Sequence, residues 1–329
     1  MTEHFQLKRA VLIESLRPIF AFRKGRQGFA PRHSVDDLKL LKRMGIKVGL
    51  VFHGSDIRDP YAHALRNPHS PFWSTSGHPI SANPAEPSQI LRPEALSLAE
   101  SSATNRQLLA TVRRAKIPIF VTTPDLFHEV PDAHWLPVVI DINRFAPISQ
   151  RSPIFSTEKL RVLYMPSRSW IKSSHLITPI LEKLRDEGVI EYKNWSETGA
   201  VKHSQMPELV EASDLVIDQF LGIIGVFPLE AAAAGRLVAT LVEPSVSQSP
   251  IPPHIPITPN TLEDVIRGVA KAREGVTLHG QQLTIKEGKP HLEFKSLSLT
   301  DGIQVGIDFV HYYHDGRYSA AVMERELNL

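Results

Sequence analysis

Two basic side chains, Arg168 and Lys172, stand four residues apart just after a short apolar run, Leu160 to Met165. An arginine can fork to two phosphate oxygens, and a lysine supplies a mobile point charge, so the pair suits a diphosphate. The two side chains share a face if a helix has already begun at this turn. An exposed basic turn without a ligand is the alternative interpretation.

The segment from Asp214 to Val242 contains a second candidate site. Its sequence predicts a strand, a small-residue loop, a short helix and another strand, which is the βαβ pattern of a parallel sheet. Ligands of such sheets bind at the carboxyl ends of the strands, where free amides of helix N-termini attract anions. Gly225 and Val226 mark the predicted helix start. Glu230 lies near that start, where it either accepts two sugar hydroxyls or only complements the helix dipole.

His53 and Asp56 follow another apolar run, Ile46 to Phe52, which predicts a buried strand. An imidazole at the carboxyl end of a strand can donate a hydrogen bond to a sugar hydroxyl or to a departing phosphate. The carboxylate of Asp56 can orient that imidazole or bind a neighbouring hydroxyl. A polar turn capped by the aspartate is the alternative.

The predicted helix start reads Gly225-Val-Phe-Pro-Leu-Glu-Ala-Ala-Ala-Ala-Gly-Arg-Leu-Val. This pattern resembles the donor site of retaining GT-B glycosyltransferases of the family 4 type, in which a glutamate at the place of Glu230 binds the ribose of the nucleotide sugar. Arg168 and Lys172 likewise resemble the arginine and lysine of that donor site. The family usually carries another glutamate eight positions earlier. Gly222 stands there in this sequence, so the usual contact to the donor sugar is not implied.

The resemblance extends to two other segments. His53-Gly-Ser-Asp looks like the His-Gly-x-Asp segment of the family's first domain, which implies catalytic roles for His53 and Asp56. Asn194 and Trp195 stand in the neighbourhood of the family's nucleotide base, and a core tryptophan is the alternative. The resemblance implies transfer of a sugar from a nucleotide-diphosphate sugar to a glycan, a lipid or a small-molecule acceptor, with retention of configuration and without a cofactor.

The implied fold class is α/β of the GT-B type, with two Rossmann-like domains whose parallel sheets face each other across a cleft. We expect an acceptor-side domain at 1–146, a linker at 147–157, a nucleotide-sugar-binding domain at 158–302, and a C-terminal helix at 303–329 that crosses back to the first domain. The first predicted strand begins near Ala10 and looks like a later strand of a GT-B first domain. The first domain is therefore expected to be shortened at its N-terminus.

Composition narrows the partners and the compartment. The 37 basic and 35 acidic side chains nearly cancel, which argues against a nucleic-acid-binding protein. Eleven bases and four acids give the first 47 residues a net charge of +7, which predicts a contact with phosphates or an anionic membrane, or merely a solvated face. Cysteine, a signal-peptide core and a long apolar run are all absent from the sequence, so we expect a cytoplasmic protein, peripheral at the inner face of the membrane.

The sequence predicts no metal site. Metal-dependent GT-A glycosyltransferases hold a cation with an Asp-x-Asp pair, and this sequence contains none. His311 and His314 have a spacing that suits a metal, but no further ligand completes the set, which favours a structural helix. Gly222 and the expected shortening of the first domain keep a second function open, a non-catalytic sugar-nucleotide-binding or scaffolding protein on a degenerate GT-B fold. A GT-B sugar-nucleotide epimerase is the third function considered.

Overall fold

A computed structural model describes residues 10–19, 34–74, 91–145, 152–195, 201–243, 250–286 and 289–329, except for the side chains of 281–294. These residues form two compact units. The first contains the described residues up to Pro68, Phe72–Pro137 and Tyr318–Leu329, and the second contains His69–Pro71 and Val138–Arg317. The main division follows Pro137, ahead of the predicted linker, of which 147–151 lie outside the described residues.

The described strands are β1 (Ala10–Glu14), β2 (Lys47–Phe52), β3 (Ile119–Val121), β4 (His134–Trp135), β5 (Leu160–Tyr164), β6 (Ile190–Tyr192), β7 (Leu215–Ile217), β8 (Leu237–Thr240), β9 (Ile255–Pro256), β10 (Leu278–Lys286) and β11 (Lys289–Leu297). The described α-helices are α1 (Asp36–Arg43), α2 (Pro60–Arg66), α3 (Pro93–Arg114), α4 (Ile142–Phe145), α5 (Ser174–Asp186), α6 (Met206–Glu211), α7 (Val226–Ala233), α8 (Leu262–Ala272), α9 (Leu299–Tyr313) and α10 (Arg317–Leu327). Short 3-10 helices lie at Pro124–His128, His203–Gln205 and Arg273–Gly275.

The first unit is organised around a parallel sheet with the strand order β1-β2-β3-β4. Five consecutive residues of β2, from Val48 to Phe52, are buried, as expected of a parallel strand that is covered on both faces. Leu109 of α3 and Val121 of β3 belong to the same core. His53 follows β2 directly and so lies at the carboxyl edge of this sheet.

The second unit is organised around a five-stranded parallel sheet with the order β6-β5-β7-β8-β9. Numbered within the unit, this order is 2-1-3-4-5, a doubly wound arrangement that reverses between β5 and β7. Tyr164 of β5 pairs with Ile217 of β7, so the loops that leave these two strands start side by side. Ligands of doubly wound sheets bind at this reversal, outside the carboxyl ends of the strands.

Helix α7 connects β7 to β8 and is buried over most of its surface, including all residues from Pro228 to Ala233. It ends in a Schellman motif, because the N–H of Arg236 donates to the carbonyl of Ala231 at 2.9 Å and that of Gly235 to Ala232 at 3.0 Å. Gly235 has φ +67°, a left-handed conformation that glycine adopts without strain. Gly235 therefore determines where the helix that positions the candidate site ends.

The predicted fold class is confirmed in that both units are α/β units with parallel sheets. An antiparallel hairpin, β10 with β11, extends the second unit. The placement of the two sheets across a cleft and the shortening of the first domain stay predictions. Among the helices that the structure describes, none has the length and apolarity needed to cross a membrane.

Candidate functional site

The second unit contains a cavity of about 760 Å³ at the carboxyl ends of its strands, beside the reversal between β5 and β7. The loop after β5, the end of the loop after β6, the segment that leads into α6 and the start of α7 surround it. Its lining residues are Met165, Pro166, Ser167, Lys172, Trp195, Val201, His203, Met206, Val226, Phe227 and Glu230. Three of the predicted site residues, Lys172, Val226 and Glu230, are thus brought together around one cavity.

Lys172 is held by a tight turn between β5 and α5. The N–H of Lys172 donates to the carbonyl of Arg168 at 3.0 Å, so the two basic residues span one helix-like turn. The buried hydroxyl of Tyr164, at the end of β5, donates to the carbonyl of Lys172 at 3.0 Å and contacts Ser174 Oγ at 2.8 Å. This buried anchor fixes the backbone from which the Lys172 ammonium reaches the cavity.

The ammonium of Lys172 forms an ion pair with Asp218, which follows β7. Lys172 Nζ lies 2.5 Å from Asp218 Oδ1, and the Asp218 side chain is only 1% exposed. The pairing of β5 with β7 explains the contact, because both residues stand in loops that leave neighbouring strand ends. The second oxygen, Asp218 Oδ2, is buried and has no hydrogen-bond partner among the described residues.

The N-terminus of α7 meets this ion pair at Gly225. A Cβ on Gly225 would lie 3.9 Å from Lys172 Nζ, 3.9 Å from Asp218 Oδ2 and 3.8 Å from Gln219 Nε2. The first N–H groups of a helix have no partner within it, and they attract anions. An ammonium, an amide donor and a helix N-terminus therefore surround one space that suits a phosphate group.

Arg168 is exposed and does not line the cavity. Among the described residues, no hydrogen bond or ion pair involves its side chain, so its guanidinium is available to a ligand. The neighbouring Ser167 does line the cavity. The structure places the predicted pair, Arg168 and Lys172, on one turn. Lys172 lines the cavity and Arg168 does not.

Glu230 lies one turn into α7 and is 5% exposed. Its Oε1 lies 3.0 Å from Nε2 of His203, whose side chain is largely exposed. Burial raises the pKa of Glu230 above its ordinary value, and the hydrogen bond from His203 works in the opposite direction. Arg144 donates to the carbonyl of His203 at 3.3 Å and its charge also lowers the pKa of Glu230. The carboxylate can therefore accept further hydrogen bonds at a mostly apolar wall.

Asn194 does not line the cavity. Its Nδ2 donates to Glu182 Oε1 of α5 at 3.0 Å, and the next residue, Trp195, lines the cavity instead. The ammonium of Lys193 lies 4.2 Å from the centre of the Trp195 ring. Trp195, Val201 and Phe227 together give the cavity an apolar, partly aromatic wall that suits the flat face of a base.

His53 and Asp56 lie in the first unit, at the carboxyl edge of its sheet. The carboxylate of Asp56 accepts hydrogen bonds from the N–H groups of His53, at 3.0 Å, and Gly54, at 2.7 Å, and from the hydroxyl of Ser15. The half-exposed imidazole of His53 faces Glu14, with Nε2 3.8 Å from its Oε1. Asp56 therefore caps the turn that presents His53, and the catalytic roles of both residues stay predictions.

Gly222 has φ +88°, and a Cβ at this position would lie 2.4 Å from Cγ of Glu243 and 2.9 Å from its Oε1. Both the backbone conformation and the packing therefore require glycine here. The glutamate that the resembling family usually carries at this place could not be accommodated unless the buried side chain of Glu243 moved.

His314, one of the two histidines with a spacing that suits a metal, has structural contacts. Burial lowers the pKa of His314 to about 4, and its Nδ1 contacts the carbonyl of Val138 at 2.8 Å, which is a structural role. Within the described parts of the chain, no three His, Cys, Asp or Glu side chains gather as a metal site would need.

Sequence reasoning assigned no role to Asp218, Gln219 or His203. The sequence did indicate Asp218 and Gln219 as candidate site residues, because polar residues directly after an apolar strand lie where ligands bind. No sequence pattern indicated His203, since its contact with Glu230 joins residues 27 positions apart through the tertiary fold.

The change Glu230→Gln should lower the affinity for a nucleotide sugar roughly five- to a hundredfold, because one acceptor oxygen becomes a donor amide and leaves a ribose hydroxyl mismatched. The melting temperature should hardly change, since shape and packing are kept. Titration calorimetry on the wild type and the variant measures the loss. Glu208→Gln, on the exposed face of α6, is the matched control and should bind as the wild type does.

A nucleotide without the 2′ and 3′ hydroxyls separates ribose binding from other roles of Glu230. It should bind the wild type weakly and be insensitive to Glu230→Gln. Equal affinity of the wild type for the parent nucleotide and this analogue would show that Glu230 does not hold the ribose.

No protein-family model matches the sequence, and no curated protein matches it. Among solved structures, the chain is similar to TarM, with 10% sequence identity and a TM-score of 0.48 over 88% of this chain and 57% of TarM. It is also similar to the glycotransferase of kitacinnamycin, with 10% identity and a TM-score of 0.41 over 97% of this chain and 76% of that protein. The chain thus spans little more than half the length of TarM. Any assignment of function rests on the residues of the site itself.

Proposed function

We propose that this chain is a GT-B glycosyltransferase of the family 4 type that binds a nucleotide-diphosphate sugar in the cavity of its second unit. One observation carries the proposal: a single cavity combines the ammonium of Lys172 and the N-terminus of α7 with the buried carboxylate of Glu230. Cationic and amide donors suit a diphosphate, and a buried carboxylate suits the ribose hydroxyls. The apolar wall around Trp195 would take the base.

The reaction would be driven by stabilisation of the leaving diphosphate. Lys172, Arg168 and the free amides of α7 would compensate the negative charge that develops as the sugar leaves. Because the backbone of Lys172 is anchored by Tyr164 and the amides belong to a buried helix, these two need little reorganisation when the charge forms. His53 is the residue of the first unit that we propose to act at the reacting sugar. Retention of configuration is part of the same proposal.

The acceptor would be a glycan, a lipid or a small molecule. The net charge of +7 in the first 47 residues supports a peripheral contact with an anionic membrane at its cytoplasmic face. Sedimentation with vesicles of neutral lipid, with and without an anionic lipid, tests this contact. Binding to the anionic vesicles that weakens with salt supports it, and equal binding to both vesicle types contradicts it.

A panel of nucleotide sugars tests the donor site directly. Thermal shift reports which donors bind, since a ligand that binds only the folded state raises the melting temperature. Hydrolysis of the donor in water and transfer to acceptor extracts report turnover. We expect one nucleotide and its sugar conjugates to raise the melting temperature. One of these conjugates should also be consumed.

The non-catalytic binding protein is the second candidate function. The packing of Gly222 against Glu243 favours it, because this loop has no room for the carboxylate that usually contacts the donor sugar. Donor binding without turnover, with any acceptor extract, would support this candidate. An epimerase would instead release a new sugar nucleotide from the donor alone.

Chelation gives a further prediction. EDTA should leave the rate of donor turnover unchanged, because Lys172, Arg168 and the helix amides are proposed to stabilise the leaving diphosphate. The assay compares initial rates with EDTA, without it, and after addition of Mn²⁺ or Mg²⁺. Loss of activity in EDTA that either cation restores would contradict the metal-independent mechanism.

A further inference from the structure

The ion pair between Lys172 and Asp218 changes the charge of the phosphate space. The carboxylate is 99% buried, so its charge is not screened by solvent as a surface carboxylate would be. Its Oδ1 neutralises the only ammonium that lines the cavity among the described residues. The space beside Gly225 is therefore less attractive to anions than a lone lysine at a helix N-terminus would make it.

A phosphate bound by Lys172 must lie close to Asp218. Lys172 Nζ is 2.5 Å from Asp218 Oδ1, and a hydrogen bond from Nζ to a phosphate oxygen spans about 3 Å, so that oxygen lies within about 5.5 Å of the carboxylate. Asp218 Oδ2 is 3.9 Å from the Cβ position at Gly225 and has no partner among the described residues. One oxygen of the carboxylate therefore faces the space beside Gly225 without a hydrogen bond from any described group.

This repulsion acts unequally on donor and product. A terminal phosphate monoester has a second pKa of about 6, so a free nucleoside diphosphate carries one more negative charge at pH 8 than the diphosphate diester of a nucleotide sugar. The additional charge lies on the phosphate that the departing sugar exposes. A buried carboxylate within a few ångströms of that phosphate disfavours the product more than the donor.

We propose that Asp218 is a specificity-determining residue that lowers the affinity of the site for a free nucleoside diphosphate relative to the diphosphate diester, and so favours product release. This inference rests on the proposed function, since it assumes that the cavity binds a nucleotide diphosphate. It assigns two tasks to one side chain: Oδ1 positions the Lys172 ammonium, and the charge of the carboxylate discriminates between ligands.

The first measurement uses the wild type. Titration calorimetry at pH 8 compares UDP, GDP and ADP with the β-methyl ester of each, because the methyl group removes the additional charge without introducing a sugar. The ratio of the two affinities, for the nucleotide that binds, is the reference value for the variants.

The test compares Asp218→Asn with Asp186→Asn, which removes the same charge from the exposed end of α5. Asp218→Asn should raise the affinity for the free diphosphate relative to the ester by about tenfold, and Asp186→Asn should leave this ratio unchanged. A ratio that is unchanged in Asp218→Asn overturns the proposal, even if both ligands bind more weakly. If the wild type binds no nucleotide at all, the proposed function fails; if nucleotides bind and the ratio does not respond to Asp218→Asn, only this inference fails.

Discussion

Replacing Lys172 with methionine should lower the free energy of unfolding by about 3 kcal/mol, because the buried carboxylate of Asp218 would lose its counter-charge. The same variant should lose affinity for a nucleoside diphosphate, since the ammonium at the N-terminus of α7 is removed. Urea denaturation and calorimetry measure the two effects separately. Arg168→Met is the matched control: its side chain is exposed, so stability should change by less than about 0.5 kcal/mol.

A double variant distinguishes the buried charge from other causes of instability. Asp218→Asn in the Lys172→Met background removes the unpaired charge and should recover most of the lost stability. Affinity for the diphosphate should stay low, because the ammonium is still absent. If Lys172→Met is as stable as the wild type, the ion pair does not hold the loops after β5 and β7 together.

Introducing the family's usual glutamate as Gly222→Glu should be the most damaging single change in the loop before α7. A non-glycine residue with φ +88° is strained by about 1–3 kcal/mol, and the overlap with Glu243 adds about 1–3 kcal/mol. Donor turnover should fall rather than rise, since the buried Glu243 side chain must move to admit the new one on a strained backbone. Denaturation curves and initial rates of the purified variant measure both consequences.

Gly188→Ala provides the control for Gly222→Glu. Gly188 has a similar φ of +75°, but a Cβ there would meet only the flexible end of Lys159 at 3.7 Å. The Gly188→Ala variant should therefore lose only the stability that backbone strain costs, about 1 kcal/mol. A Gly222→Glu variant that is as stable as Gly188→Ala and more active than the wild type would refute the steric argument.

Local sequence patterns were sufficient for the segments around the site. The apolar run before Asp218 predicted β7, and α7 starts at Val226, where the sequence placed its start. These predictions succeed because a short buried strand and a glycine-terminated helix are encoded by neighbouring residues. The parallel, doubly wound sheet then follows from the alternation of strands and helices.

Contacts between distant residues were beyond the sequence. Lys172 and Asp218 are 46 positions apart, and only the pairing of β5 with β7 brings them to 2.5 Å. His203 and Glu230 meet across 27 positions, and the turn that Asp56 caps depends on Ser15, 41 positions away. Residue types and spacing identify candidate ligands, whereas the partner that each candidate already has is decided by strand order and loop packing.

Helix α7 is both part of the hydrophobic core and the floor of the cavity, since all residues from Pro228 to Ala233 are buried and Glu230 is among them. A saturation mutagenesis screen scored only by activity would therefore mark nearly every position of this helix as essential, because variants that fail to accumulate look the same as variants that fail to bind. Such a screen needs a parallel abundance readout. Positions that lose activity at normal abundance, such as the expected Glu230→Gln, would then separate from those that support the fold.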